Sequence, residues 1–406
     1  MPLPLVCLSH LRWDLVYQRP QHLMTRFARH RRVVFVEEPI FDSTSPSLET
    51  RLRQNVLVAT PHLPQGLSAS VARAAERFLL DALLARPDLG DYVLWCYTPL
   101  ALDLAGGLDP AVIVYDCMDE LSLFKDASPL LVSSEKELMV RADLVFAGGQ
   151  SLYEAKKGQN PYVYAFPSSV ERAHFARARA GLAPPLDQEG IAAPRLGFFG
   201  VVDERMDLDL LDAVAAARAD WSLVVVGPVV KIDAATLPRR ANIFYRGAKD
   251  YAALPAYIAG WDVALMPFAR NDATRFISPT KTLEYLAAGV PVVSTPIQDV
   301  VDPYGAQGLV AIAATPAEFI AAIESALALD SASRHDLQRR VDAFLDGTSW
   351  DETWARMDAL LDDVTTKNVA ARRRASGAAA GTTAQAASAP RSAVGGKAIV
   401  GKEGLS

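Results

Sequence analysis

A chain of 406 residues is too long for one ordinary core and long enough for two domains of typical size. Half of it is hydrophobic and 22 % is charged, as in a globular protein, and a formal net charge of −6 argues against nucleic acid as a partner. The cysteines Cys7, Cys96 and Cys117 lie in apolar runs without CxxC spacing, the first residues lack the basic start and long apolar stretch from which a secretory leader would be expected, and no run of about 18 apolar residues occurs. Buried thiols and a cytoplasmic location are expected, with neither a disulfide nor a bound metal.

In chain order, short β-branched or aromatic runs predict strands at Leu3–Leu8, Val33–Val36, Asn55–Ala59, Tyr92–Cys96, Ala111–Tyr115, Asp143–Ala147 and Tyr162–Phe166. They alternate little in polarity, which suits parallel strands covered on both faces. Helical periodicity fills the gaps, most clearly over Ser68–Ala85 and Ser133–Arg141. Residues 1–175 therefore read as a Rossmann-like, doubly wound α/β domain. Pro184, Pro185, Gly181 and Gly190 break the pattern across 176–194, as in a linker. A second α/β series, 195–348, carries strands at Arg195–Phe199, Ser222–Val226, Asn242–Tyr245, Asp262–Met266, Pro291–Ser294 and Gly308–Ile312. Its helices fall at Leu208–Arg218, Tyr251–Ile258 and Pro279–Ala288, then at Ala317–Ala328 and Arg334–Leu345. A last helix begins at Trp350 and reaches about Val364, closing a segment 349–366. From 367 to 406 the chain is rich in Ala, Gly, Ser and Thr, lacks aromatics, and sets seven cations against Glu403, a net +6 that leaves −12 on the rest. Such a segment predicts a disordered, solvated basic tail, with contact to an acidic membrane surface as the alternative.

Tandem doubly wound domains bind ligands at the carboxyl ends of their strands, in the crevice between them. The loop after the first strand, Ser9-His10-Leu11-Arg12-Trp13-Asp14, has no glycine, so a dinucleotide fingerprint is absent. In the second domain, Gly200 and Gly227 end two strands and would let a ligand or a loop approach the backbone, or simply make tight turns. Ser278 suits an N-cap, Pro279 the first helical position, and Gly289 a helix end. The free amides of that helix start, with Thr280 and Lys281, suit a diphosphate, and Glu284 could accept ribose hydroxyls. A well-capped helix with an exposed Lys and Glu explains the same residues.

The run Ser278–Val293 resembles the donor-binding motif of family 4 glycosyltransferases (glycosyl transferases group 1), which have the GT-B fold of two Rossmann-like domains facing a cleft. Pro167-Ser168-Ser169-Val170-Glu171 with Phe175 is similar to the signature that closes the family's first domain, and Ser349-Trp350 resembles the start of its final helix, which crosses back to that domain. Trp13 with Gln18-Arg19-Pro20-Gln21 looks like a subgroup that makes bacterial surface polysaccharides. There are departures. Phe276 stands where the family has a glutamate that contacts the donor sugar, and Val201 where it has an arginine. Arg205 is one substitute for the phosphate-binding cation, and Arg275 another. After the strand at Ala111–Tyr115, Asp116 and Asp119 are candidates for an acceptor-binding or general-base role, with helix capping by Asp119 as the alternative. Gln18, Arg19 and Gln21 are candidate acceptor contacts, or caps of their helix. Asp207-Leu208-Asp209 mimics a metal-binding Asp-x-Asp but falls at a helix start, where acidic residues complement the dipole. Arg26, Arg29, Arg31 and Arg32 form a cationic helix end that either is solvated or touches lipid headgroups.

The resemblance implies metal-independent transfer of a sugar, with retention, from a nucleoside diphosphate sugar to a glycan or lipid-linked acceptor in polysaccharide biosynthesis, without another cofactor. The donor domain, Lys281 and Arg205 would stabilise the leaving diphosphate. Partners would be the nucleotide-sugar donor, that acceptor, and peripherally the inner membrane. The alternatives are a nucleotide-sugar 2-epimerase on the same fold and a catalytically silent sugar- or nucleotide-binding partner.

Overall fold

Near-continuous apolar strands such as Leu5–Leu8 and Leu144–Ala147 are stable where helices cover both faces of a sheet. The computed structural model, which describes residues 2–86 and 89–387, meets that demand twice. The first sheet contains β1 (Leu5–Leu8), β2 (Val33–Val36), β3 (Ile40–Ser43), β4 (Ser47–Arg53), β5 (Val56–Pro64), β6 (Val93–Cys96), β7 (Val112–Cys117), β8 (Leu144–Ala147) and β9 (Val163–Ala165). Its order is β3-β5-β2-β1-β6-β7-β8-β9, parallel throughout except that β4 runs antiparallel to β5. Helices α1 (Arg19–Phe27), α2 (Ala69–Leu84), α3 (Ala101–Ala105), α4 (Leu130–Arg141) and α5 (Gln150–Lys156) accompany it, whereas α6 (Arg172–Ala176) sends Phe175 into the core of the second sheet.

The second sheet contains β10 (Arg195–Phe199), β11 (Ser222–Val226), β12 (Ile243–Tyr245), β13 (Val263–Met266), β14 (Val292–Ser294) and β15 (Ala311–Ile312), ordered β12-β11-β10-β13-β14-β15 and wholly parallel. With it go α7 (Leu208–Ala217), α8 (Leu254–Ile258), α9 (Thr280–Ala288), α10 (Gln298–Val300), α11 (Pro316–Leu327) and α12 (Ser331–Phe344), and α13 (Trp350–Ala387) ends the described chain. In the first sheet the strand order reverses between β1 and β6, in the second between β10 and β13. Loops leaving those strands are where a doubly wound sheet opens a crevice.

Two-residue periodicity divides each strand between two cores. Leu5 and Cys7 pack on the α1 side, with Phe27, Trp350, Met357 and Leu361. Val6 and Leu8 pack on the other side, with Leu80 and Leu138. Helix α13 thus lies across the first sheet although it follows the second in sequence. All three cysteines are buried and free. Among the described residues, no helix is long and apolar enough to cross a membrane.

Several features depart from the sequence expectations. Strands β3 and β4 were not foreseen because none of their residues is buried and neither has an apolar run to betray it. Within 176–194, Gln188 is fully buried, accepting from Trp261 Nε1 (3.0 Å) and donating to the Tyr257 carbonyl (3.0 Å), so this stretch is fastened to the second sheet. The expected disordered tail is also corrected. Residues 367–387 continue α13, and 388–406 lie outside the described residues. Alanine favours helix even without a core to join. Asn368 moreover donates to the Ala111 carbonyl and Asp143 Oδ1 (both 3.0 Å), and Arg372 grips Asp109. The cationic end of α1 is not merely solvated either. Arg26 and Arg29 pair with Asp351, and Arg31 with Asp358 and Asp362, so these arginines hold α13.

Candidate functional site

The carboxyl ends of the two sheets face each other across a cleft of about 460 Å³, within the usual range for small-molecule sites. Its second-domain wall is built at the strand-order reversal. The loop after β10 brings Gly200, Val201 and Arg205, and the loop after β13 brings Phe268 and Ile277 to Lys281. Gly200 has φ +139°, and a Cβ there would collide with the Lys281 side chain. Gly227 has φ +142°, and a Cβ would strike the Gly200 carbonyl. Both glycines line the cleft, and their bareness lets loops and Lys281 stack closely.

Helix α9 begins at Thr280, with Pro279 in extended conformation (φ −67°, ψ 117°) at the N-cap and no side chain capping it. This corrects the expectation that Ser278 would cap and Pro279 would be the first helical residue. The helix start and both hydroxyls, Ser278 and Thr280, remain open to the cleft. Lys281 lies near the Phe198 ring (5.6 Å), and among the described residues its ammonium makes no hydrogen bond or ion pair. Burial drives its pKa below the ordinary lysine value, and Arg205 drives it further the same way. Glu284, 5 % exposed, is pushed up by burial and drawn back by Lys281. Neither is the exposed helix pair that the sequence also permitted. Arg205 Nε and Nη2 hold the Asp203 carboxylate at 2.7–3.1 Å, which fixes the guanidinium at the cleft wall. Arg275 is not brought to this site: it is exposed, with its guanidinium over the Phe276 ring, and does not line the cleft.

The first-domain wall holds Asp119, Met118 and Gly148 beside Gln18, Arg19 and Ser168. Burial raises the Asp119 pKa; Arg205 pulls it down, Asp203 pushes it up, and Lys281 and then Arg19 pull it down, so charges from both domains act on one carboxyl. Its carboxylate accepts no hydrogen bond from any described residue, and it caps no helix. Asp116 is corrected. It is fully buried, it does not line the cleft, and Arg19 Nε and Nη2 clamp it at 2.9–3.2 Å. Alternation along β7 puts Asp116 on the face of Val112 and Val114, in the core beneath α1, so it has no access to an acceptor. Arg19 is spent on that carboxylate and on the Phe166 carbonyl (2.7 Å). Gln21, 1 % exposed, donates to the Trp13 and Val16 carbonyls and accepts from the Gln18 amide. Gln21 thus shapes the β1–α1 loop and does not line the cleft, Arg19 ties α1 to β7 and to Phe166 at the cleft's edge, and Gln18 lines the cleft with no such commitment. Asp207 caps α7 by accepting from the Leu210 amide (2.8 Å).

Sequence reasoning missed the cleft's outer rim. Arg53 and Gln54, at the β4–β5 turn, and Lys249, Asp250 and Tyr251, after β12, all line it. Tyr251 stacks on Tyr17 of the first domain (4.7 Å) and on His174 (4.5 Å), an aromatic link between the halves. Gly247, with φ +64° just before this stretch, was the available sign of a turn at a strand's carboxyl end.

Residues 193–328 match the family model of glycosyl transferases group 1. The chain is similar to a teichuronic acid biosynthesis glycosyltransferase assignment in Bacillus subtilis (strain 168), TuaH, at 27 % identity over 203 residues, 45 % of this chain and 50 % of that protein. The chain thus matches about half the length of that relative. In fold it is similar to α,α-trehalose 6-phosphate synthase from Burkholderia multivorans (TM-score 0.65, 15 % identity, 90 % of this chain and 99 % of that one). Sucrose-phosphate synthase from Thermosynechococcus elongatus is alike to the same degree (TM-score 0.66, 15 % identity, 90 % and 100 %). An E. coli trehalose-6-phosphate protein solved with UDP-2-fluoro glucose gives 0.63 at 14 % identity, covering 89 % of this chain and 99 % of that one. The two facing parallel sheets are the GT-B fold, and the stretch that carries Gly200, Lys281 and Glu284 lies within the residues that match the glycosyl transferases group 1 model.

Proposed function

We propose that this chain transfers a sugar from a nucleoside diphosphate sugar to a hydroxyl of a glycan or lipid-linked acceptor in surface polysaccharide biosynthesis, working at the cytoplasmic face of the membrane. The carrying observation is the Lys281 ammonium, which has no hydrogen-bond or ion-pair partner among the described residues and lines one cleft with Arg205, the start of α9 and Asp119. In sugar transfer, charge builds on the departing diphosphate. A fixed cation, a second held rigid by Asp203, and free helix amides are preorganised for that charge. Glu284 and the rim of Lys249, Asp250 and Tyr251 would take the nucleoside, with Ser278 and Thr280 supplying hydroxyls to the phosphates. Asp119 is the one carboxylate of the first-domain candidates open to the cleft, so it would orient the acceptor hydroxyl and share its proton. The similarity to TuaH supports a cell-surface glycan as product. A trehalose-6-phosphate synthase of similar fold is described in connection with transfer with retention, which supports the same outcome here.

A thermal-shift screen against UDP-, GDP-, dTDP- and ADP-sugars tests this reading. The donor at 100 times its dissociation constant should stabilise the fold by about 2.7 kcal/mol. Mass spectrometry of products then follows. An extended acceptor is expected; a C2-epimerised sugar nucleotide without acceptor would make the protein an epimerase. Absence of any shift across the panel would sink the proposal.

A further inference from the structure

The two domains also meet along a seam beside the cleft. Helix α5 of the first domain starts just after Gly149, and the Ser151 amide donates to Asp299 Oδ1 of the second domain (3.0 Å). Gly149 itself is extended, with φ −161° and ψ 166°, a conformation open to any residue. Nothing in its own backbone asks for glycine. The other domain does: a Cβ on Gly149 would collide with Asp299 Oδ2 and stand 2.9 Å from the Ser278 Cβ, closer than unbonded carbons approach. Ser278 lies three residues before Lys281, and Phe276 just ahead of it packs against the first domain's core. The segment that delivers Lys281 towards Asp119 therefore passes directly over residue 149.

We propose that Gly149 is a positioning residue whose missing side chain lets the donor-helix start close onto the first domain, and that Asp299 latches this closed form through the Ser151 amide. What the seam positions rests on the glycosyl-transfer reading; that it governs closure does not. Opening it by an ångström would separate Asp119 from Lys281 while leaving each domain's own contacts intact.

The test is Gly149→Ala, which α5 tolerates because its backbone there is ordinary. Spin labels at Val140→Cys and His335→Cys, exposed positions on α4 and α12, report the interdomain distance. The variant should shift the distance distribution outward, with an unchanged melting temperature. Asp299→Ala should speed hydrogen exchange at the Ser151 amide, and the double variant should be no worse than Gly149→Ala alone, since both break one seam. With a donor from the nucleotide-sugar screen, Gly149→Ala should lower kcat by about 10-fold or more, on the scale known for ångström misplacements. Affinity for the bare nucleoside diphosphate, held by the second domain, should stay at the wild-type value. A wild-type distance distribution in Gly149→Ala overturns the proposal, as does a kcat loss matched by a loss of nucleotide affinity. A shifted distance in a protein that binds no nucleotide sugar would leave the seam standing and refute only the assigned function.

Discussion

Replacing Lys281 by Met tests the reading most directly, because activity and stability should move in different directions. The side chain is partly buried in the cleft wall, runs past Gly200, and its ammonium has no hydrogen bond or ion pair among the described residues. A partly desolvated charge without a partner costs stability, so Lys281→Met, similar in volume, should leave the melting temperature unchanged or raise it. If the ammonium instead meets a diphosphate in the complex, its loss removes an interaction that strengthens as the leaving group gains charge. Removing one preorganised donor of that kind costs about 2.7–4 kcal/mol of barrier, or about 10²–10³ in kcat. Calorimetry with UDP, GDP, dTDP and ADP should show weaker binding of whichever the wild type prefers. A pH series adds a second reading. The lysine's pKa is lowered by burial, so it loses charge below the ordinary lysine range, and wild-type nucleotide affinity should weaken as pH rises through that region. The Met variant should lack this dependence. Wild-type nucleotide binding in Lys281→Met, at every pH, would place the diphosphate elsewhere and refute the reasoning.

The two aspartates of the β7 end should separate cleanly. Asp119→Asn is expected to lower kcat by about 100-fold with bare-nucleotide affinity intact, whereas Asp116→Ala, which strands buried Arg19, should cost about 3–5 kcal/mol in denaturant titration; equal kinetic effects per folded molecule would contradict that assignment. Truncation after Thr366 removes the Asn368 and Arg372 contacts and should cost about 1–3 kcal/mol, at about 0.5–1.5 kcal/mol for a typical hydrogen bond; a melting temperature untouched by the cut would return the segment to a passive tail. Burial and then Lys231 lower the His10 pKa to about 4 from 6.5, so the unfolded chain binds a proton that the folded chain refuses between those values. Stability is full above pH 6.5 and should fall as the solution is acidified towards 4, and His10→Gln should flatten that decline in thermal melts.

The alternation of apolar runs with helical periods was sufficient to place two doubly wound sheets, because a parallel strand covered on both faces must be apolar along its length. Val33–Val36, Arg195–Phe199 and Ser222–Val226 occur at the bounds predicted for them. The site's helix was legible for a similar reason: Gly289 takes the left-handed conformation (φ 81°) that ends α9, and the residues before it carry the motif. Strand β4 was not legible, since pairing with β5 is a backbone matter and Leu48 and Leu52 alone do not make an apolar run of Ser47–Arg53. Nor was the fate of the polar candidates. Asp116 and Asp119 are three residues apart with equal claim in sequence. Whether each met the core or the cleft depended on strand register and on where Arg19 came to rest from α1, 97 residues away. Gly149 is the extreme case. Its sequence neighbours predict only a turn before a helix, and the need for a missing side chain arises from Asp299 and Ser278 of the other domain. Local composition and periodicity determine which segments are strands and helices, because those preferences are local energies; the identity of the uncompensated charges in the cleft is a property of contacts between distant segments, and only the packed chain decides it.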